Sequence, residues 1–476
     1  MEQRYGRERM QSKLARGVIT ILVGAVIWFV PAPAEIKPQA WHLLAIFVST
    51  VLGFILQPLP IGSIAFISTT FTALTGTLKP AEALSGFSNG TIWLIVSAFL
   101  FARGFTKTGL GRRIALVIMR AIGDTTLKLG YALVLSDLAL APATPSNTAR
   151  GGGVLFPIVK SLALIFDSTP GPSSRRMGAY LMKTTIQGDI VTAAMFMTAC
   201  APNPLIVLLA AKTLHINISW GLWAAGAIVP GAISLLVIPY LLYKLYPPEI
   251  THTPEAKSYA DNELGKIGPI TWGEKIVGGV FLSALALWAT SSFHGIDATV
   301  VAMLGVSLMM ITRVLGWQDV LEEKGAWDTM IWMGSLIGLS DYLAKLGLIT
   351  WFVKVAGGAI AGVAWLPALM LLLVIYLYSH YGFASLTAHV IAMYSAFCAV
   401  AVAAGAPPYL TALAFAYMSS LMGSLTHYAT GPAPIFFGAG YIDQATWWRL
   451  GFIISLLNVI VWVGIGSLWW KVLGLW

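Results

Sequence analysis

The sequence predicts an all-α polytopic membrane protein built from inverted repeats, with about eleven transmembrane helices and two re-entrant helical hairpins. Three observations carry this. Of 476 residues, 57% are hydrophobic and only 10% are charged, and mean hydropathy is +0.79. An ordinary soluble domain is about 25% charged and has no way to hide so much apolar surface, whereas a membrane protein has lipid as its solvent. Apolar runs of about 20 residues, the length that spans the hydrocarbon, recur along the chain. Blocks from the first half return in the second half in the same order. Composition also excludes intrinsic disorder, which needs low hydrophobicity. A disulfide scaffold is excluded because Cys200 and Cys398 are the only cysteines and lie in apolar runs. The net charge of +9 comes without a basic patch carrying base-stacking aromatics, so the expected partner is the bilayer and not nucleic acid.

Taken in order, the apolar spans fall at 17–34, 39–58, 60–78 and 90–119, the last interrupted by Arg103 and Lys107. They continue at 178–214, 217–245, 273–294, 297–315, 327–358, 408–440 and 446–474. The regions 127–168 and 365–404 are apolar but broken by small and polar residues, and are read as hairpins entering and leaving on one side. The basic start (Arg4, Arg7, Arg9, Lys13, Arg16) is expected in the cytoplasm. Alternating ends then leave six Lys/Arg outside: Lys37, Lys79, Lys212, Lys345, Lys354 and Lys471. Arg150 and Lys160 lie in the first hairpin, and the other 21 of 29 fall inside, in line with the positive-inside rule. The expectation is a plasma (inner) membrane protein, N-terminus cytoplasmic and C-terminus outside. Its halves are 1–245 and 273–476, joined by a polar cytoplasmic linker at 246–272. The first span has no small-residue cleavage site and is read as a retained helix.

The repeat has three parts. Ile92-Trp93 through Lys107-Thr108-Gly109-Leu110 resembles Ile331-Trp332 through Lys345-Leu346-Gly347-Leu348. Ser146-Asn147-Thr148-Ala149-Arg150 is echoed by Ser385-Leu386-Thr387-Ala388-His389, at the same offset of 239 that separates Trp93 from Trp332. Ala201-Pro202-Asn203-Pro204 is echoed by Gly431-Pro432-Ala433-Pro434. An odd number of crossings between copies inverts their orientation, and inverted repeats with interrupted helices mark secondary transporters. For any one block, the plain alternative is a proline kink with hydroxyls satisfying the backbone.

In the first hairpin, Pro142 and Pro145 stop the incoming helix, and Ser146 or Asn147 caps the returning one. Two hydroxyls, an amide and free backbone N–H groups at a helix N-terminus suit a carboxylate. Ser385 and Thr387 repeat the arrangement. The breaks at Pro202-Asn203-Pro204 and Pro432-Ala433-Pro434, with Thr198, Thr430 and Gly431 beside them, release backbone groups that need protein or water around them. The candidate substrate-binding residues are therefore Ser146, Asn147, Thr148, Ser385, Thr387, Pro202, Asn203, Thr430 and Gly431. Arg150 and His389 follow the two tips and are expected to compensate anionic charge. The alternative for Arg150 is pairing with Asp137 or Asp189. His380 and His427 lack metal-ligand spacing and read as packing or interfacial histidines. Asp341 is expected to pair with Lys345, four residues on. No metalloprotease, nucleophile-elbow or phosphate-loop motif is present, so no enzyme, metal or cofactor is expected.

Pro145-Ser146-Asn147-Thr148-Ala149-Arg150-Gly151-Gly152-Gly153, Phe383-Ala384-Ser385-Leu386-Thr387-Ala388-His389 and the paired proline breaks resemble the divalent anion:sodium symporter family. They most resemble its 2-oxoglutarate/malate translocators and citrate/succinate antiporters. The resemblance covers essentially the whole chain. It implies a homodimer whose transport part moves like an elevator against a scaffold part, and dicarboxylates of the 2-oxoglutarate, malate and succinate class as substrate. Sodium-coupled members carry Ser-Asn-Thr at both tips. Here Leu386 replaces the second Asn, which removes a ligand oxygen from a site that needs several. With Arg150 in the place of a bound cation, an empty transport part would carry unpaired charge across the barrier, which favours exchange over return of the empty carrier. The alternatives are a sodium- or proton-coupled di/tricarboxylate symporter and, from another class, an anion channel.

Overall fold

The computed structural model describes residues 2–348, 351 and 364–476. Among them every regular element is helical, and the one bridge pairs Thr125 with His252. Lys354 and the end of the expected 327–358 span lie outside these residues.

Helices α1 (Glu2–Phe29) and α2 (Pro38–Leu56) lie against each other. Pro38 occupies the first turn of α2, where its missing N–H has no intrahelical partner to lose. Gly24 permits the close crossing: a Cβ there would stand 2.9 Å from that of Ser49. Helix α3 (Ile61–Leu74) leaves Phe66, Ile67, Phe71 and Leu74 exposed.

Helix α4 (Gly90–Thr108) corrects the expected 90–119 span. Asn89 caps it, and Gly109 ends it with φ +76°, a left-handed conformation suited to glycine. Arg103 and Lys107 therefore lie in its last turns and not mid-span. Lys107 pairs with Asp319 at 2.5 Å and Arg103 with Glu322 at 3.4 Å. The residues beyond form a separate, strongly amphipathic helix, α5 (Leu110–Ile122).

The arms of the first hairpin are α6 (Thr126–Leu140) and α7 (Phe156–Ile165). The first proline break separates α8 (Gly178–Met195) from α9 (Pro202–Leu214), and α10 (Trp220–Leu245) follows. The polar 246–272 stretch is itself partly helical. Its helix α11 (Pro254–Ile267) packs on α5, with Arg112 paired to Glu263. Arg113 holds Glu274 at 2.6 Å in the first turn of α12 (Trp272–Ala289), and α11 and α12 meet at 111°. Helices α13 (Ala298–Ile311) and α14 (Lys324–Lys345) come next. The second hairpin has arms α15 (Trp365–Ser379) and α16 (Leu386–Ala403). The second break lies between α17 (Pro408–Leu421) and α18 (Ala433–Gly438). The chain ends with α19 (Gln444–Asn458), a π-helical stretch and α20 (Gly466–Val472).

Seven helical stretches among the described residues are long and apolar enough to cross a membrane, four of them being the hairpin arms. The expected crossings at 60–78 and 297–315 hold α3 and α13, apolar but only 14 residues long, and the one at 178–214 holds α8 and the 13-residue α9 on either side of the first break.

The helices gather into two bodies. One comprises α1–α4 with α12–α14, where Gly86 meets α14 so closely that a Cβ would fall 2.0 Å from the Gly334 carbonyl oxygen. The other comprises both hairpins, α8–α10 and α17–α20. At its centre is α8, all 18 of whose residues are buried although several are polar. Lys183, counted from the sequence as a cytoplasmic charge, is one of these. Its Nζ lies 4.0 Å over the Trp447 ring and donates to that residue's carbonyl. An ion pair joins the bodies: Lys212 of α9 pairs with Asp341 of α14. The expected Asp341–Lys345 pair is thus replaced, and Lys345 sits over the Tyr342 ring instead.

Candidate functional site

A cavity of 250 Å³ lies where both hairpin tips and both proline breaks converge. Each contribution has a local cause. Pro142 and Pro145 end the first arm in a 3-10 turn and hold Thr144 extended before Pro145. Ser146 Oγ then accepts from the N–H of Ala149 at 3.2 Å, which starts the return as π-helical turns over Thr148–Leu155. In the second hairpin Ser385 Oγ accepts from Ala388 N–H at 3.3 Å. The two returning helices and α9 thus bring their N-terminal ends to one space, where N–H dipoles favour an anion.

Of the residues singled out from sequence, Ser146, Asn147, Thr148, Pro202, Ser385, Thr387, Thr430 and Gly431 line the cavity. Asn147 Nδ2 donates to Thr430 Oγ1 at 2.8 Å, a bond that links the first tip to the second break. Thr198 donates to the Pro142 carbonyl at 2.7 Å and ties the first tip to the first break. Leu386, which stands where the other tip has Asn147, also lines the space and offers no oxygen.

Three expected residues do not line it. Asn203 is buried and donates to the carbonyls of Ala193 and Phe196, while its own oxygen accepts from Ser420. It therefore fastens the break from behind. His389 is buried against Tyr376 and Phe383, with Nε2 2.9 Å from Ser379 Oγ. Arg150 is 0% exposed. Its Nε donates to Asp137 at 3.2 Å, Nη2 to Asp189 at 3.4 Å, and Nη1 to the carbonyls of both Thr144 and Ala199 at 2.6 Å. Thr192 donates to the other Asp137 oxygen. The guanidinium charge is thus matched inside the protein and does not face the cavity unpaired. This revises the electrostatic argument drawn from the sequence. Two carboxylates share the one guanidinium.

Sequence reasoning missed Phe99 and Cys200, which also line the cavity. Phe99 comes from α4, in the body opposite the tips, and its apolar run carries no signal that it faces polar groups. The carbonyl contacts of Arg150 were equally invisible, because only folding brings residues 144, 150 and 199 together. No group of three His, Cys, Asp or Glu among the described residues is arranged to hold a metal ion.

The model of the sodium:sulfate symporter transmembrane region matches residues 11–476. The chain belongs to the divalent anion:sodium symporter family. It is 52% identical to the putative malate transporter YflS of Bacillus subtilis (strain 168), over 98% of this chain and 97% of that protein. It is 47% identical to chloroplastic dicarboxylate transporter 1 of Spinacia oleracea, over 96% and 81%. The L-tartrate/succinate antiporter of Shigella sonnei (strain Ss046) is 37% identical over 96% and 98%. The crystal structure of the Alcanivorax borkumensis YdaH transporter superposes with TM-score 0.57 at 12% identity, covering 97% of this chain and 98% of that one. That likeness concerns the fold alone. The family member described here is a multi-pass membrane transporter and not an enzyme, and its similarity is to the dicarboxylate branch.

Proposed function

We propose that this transporter exchanges one dicarboxylate of the 2-oxoglutarate, malate or succinate class for another across the plasma (inner) membrane, without sodium. One observation carries the reading: Arg150 occupies the freed carbonyls of Thr144 and Ala199 at the two first-half breaks. A hard cation needs several such oxygens, and here a covalently fixed cation has taken them. The names of the relatives, which include malate, dicarboxylate and succinate transporters, support the substrate class. Hydroxyls of Ser146, Thr148, Ser385, Thr387 and Thr430 and the backbone at Gly431 and Pro202 would receive the two carboxylates.

Obligatory exchange follows from the same arrangement. In a symporter the cations leave with the substrate, and the emptied site can reset. Here the helix N-termini and hydroxyls stay as donors when the anion departs. Carrying them unsatisfied past an apolar barrier is costly, so return is easiest with a second dicarboxylate bound. The deciding experiment is counterflow in proteoliposomes. Labelled succinate should enter vesicles loaded with unlabelled dicarboxylate at least about tenfold faster than empty ones, and equally in sodium-free buffer. Uptake into empty vesicles that follows a sodium gradient would overturn the reading. A proton-driven response would favour proton symport, and conductance without internal substrate a channel.

In this reading the body holding both hairpins moves against the other like an elevator, within a homodimer whose N-termini are cytoplasmic and C-termini outside. The Lys212–Asp341 ion pair crosses between those bodies and must break when they slide. Asp341→Asn is therefore expected to change the maximal exchange rate severalfold while leaving KM within about twofold. Identical rates in both proteins would count against the sliding of α9 past α14.

A further inference from the structure

The two halves treat corresponding carbonyls in corresponding ways, but with different donors. Pro202 and Pro432 stand 230 residues apart, so the counterpart of Ala199 in the second break is Ala429. In the first half the Ala199 carbonyl accepts from Arg150. In the second half the Ala429 carbonyl accepts from His380 Nε2 at 2.9 Å. The position that aligns with Arg150 is His389, whose Nε2 instead faces Ser379, and the Ser379 hydroxyl donates to the Tyr376 carbonyl. The second half has therefore moved this task to a different histidine.

The surroundings of His380 suit a positioning role. It is 0% exposed, sits just before the second tip, and lies parallel to the Phe383 ring with centroids 6.3 Å apart. The His389 ring meets it edge-on at 5.2 Å. Among the described residues its Nδ1 has no partner, and the ring's one hydrogen bond is that to Ala429. That bond falls on the residue immediately before Thr430 and Gly431, which line the cavity from the second break. Thr430 also receives Asn147 from the first tip. A shift at Ala429 would thus be felt at the second break and, through Thr430, at the first tip.

We propose that His380 is a positioning residue of the substrate site. By donating to the Ala429 carbonyl it holds the Thr430–Gly431 wall in the form that accepts a carboxylate, as Arg150 holds the first break through Ala199. The role needs a donor at that place and no charge. It rests on the reading of the cavity as a dicarboxylate site.

The test compares wild type, His380→Ala and His380→Gln in proteoliposomes loaded with succinate. External succinate is varied, and thermal unfolding is followed with and without succinate. The Gln amide can place a donor near the imidazole Nε2. His380→Ala is expected to raise KM for succinate about tenfold, the scale of one lost positioning hydrogen bond. Its maximal rate should stay within about twofold, and the stabilisation by succinate should shrink. His380→Gln should recover most of the affinity. An unchanged KM in His380→Ala, or His380→Gln as impaired as His380→Ala, would overturn the proposal. If His380→Ala is not recovered folded, His380→Gln and His380→Met make the same comparison with and without a donor. Wild-type vesicles that exchange no succinate would overturn the site reading itself, whereas a wild type that exchanges while KM ignores His380 would overturn the role of His380 alone.

Discussion

Arg150→Ala is expected to abolish exchange and to destabilise the protein. The substitution leaves Asp137 and Asp189, both fully buried, without their cation. Breaking a buried pair from one side typically costs about 3–5 kcal/mol. It also leaves the Thr144 and Ala199 carbonyls without the donor that now binds them. These two consequences can be separated. The triple variant Arg150→Met, Asp137→Asn, Asp189→Asn removes the charge imbalance and should recover much of the melting temperature. It should not recover exchange, because the tip and the break are no longer tied. Arg150→Lys should also fail, since one ammonium cannot span four acceptors that the planar guanidinium reaches. Counterflow and thermal unfolding on the same preparations check all of this. Any residual transport in Arg150→Ala should depend on an external cation such as sodium, which can enter the vacated carbonyl site. Wild-type rates in Arg150→Ala would show that the tie is dispensable.

Gly431→Ala is expected to weaken substrate binding with little effect on folding. A Cβ at Gly431 would stand 2.1 Å from Thr148 Oγ1, and both residues line the cavity. Thr148 would have to turn, and its hydroxyl would leave the place where it lines the site. Losing the Thr148 hydroxyl as a hydrogen-bond partner of the substrate costs about 0.5–1.5 kcal/mol, which corresponds to about twofold to tenfold in an equilibrium constant. KM for succinate should rise by that order while the melting temperature of the unliganded protein moves little. Gly438→Ala is the control, because a Cβ there meets nothing within 4 Å. Equal behaviour of the two variants would remove Gly431 from the site.

Much of the architecture was legible because lipid imposes simple rules on sequence. Backbone groups must pair within the chain, so apolar length reports helices and clustered prolines report where they break. The tips at Ser146 and Ser385 and the breaks at Pro202 and Pro432 were readable for this reason, and the structure brings all four to one cavity. Boundaries were less legible. The 90–119 run carries Arg103, Lys107, Arg112 and Arg113 but no proline, and the left-handed turn at Gly109 divides it into α4 and the amphipathic α5. The 246–272 stretch looked like a linker, yet α11 folds there because α5 offers it a face to pack on.

Side-chain partners were the least legible part. Arg150 was recognisable as an unusual charge after a tip, and Asp137 and Asp189 as its candidate partners. That both pair with it, and that two backbone carbonyls complete its shell, depends on three segments meeting. Asp341 has a lysine one helical turn away, but its partner is Lys212 of α9, brought in by the packing of the two bodies. His380 had no motif around it, and its bond to Ala429 appears only when the second break folds back beside the second hairpin.

The sequence by itself determined that this chain is an all-helical membrane transporter with two matched, interrupted halves, because hydrophobic length, proline and glycine act locally and leave a local record. The tertiary structure alone decided where the charges and hydrogen bonds go. It turned Arg150 from a free positive charge into a buried tie between tip and break, and gave the matching task in the second half to His380. A buried polar group takes whatever partner the fold brings within about 3 Å, since remaining unpaired there costs more than almost any alternative, and distance along the chain says little about which partner that will be.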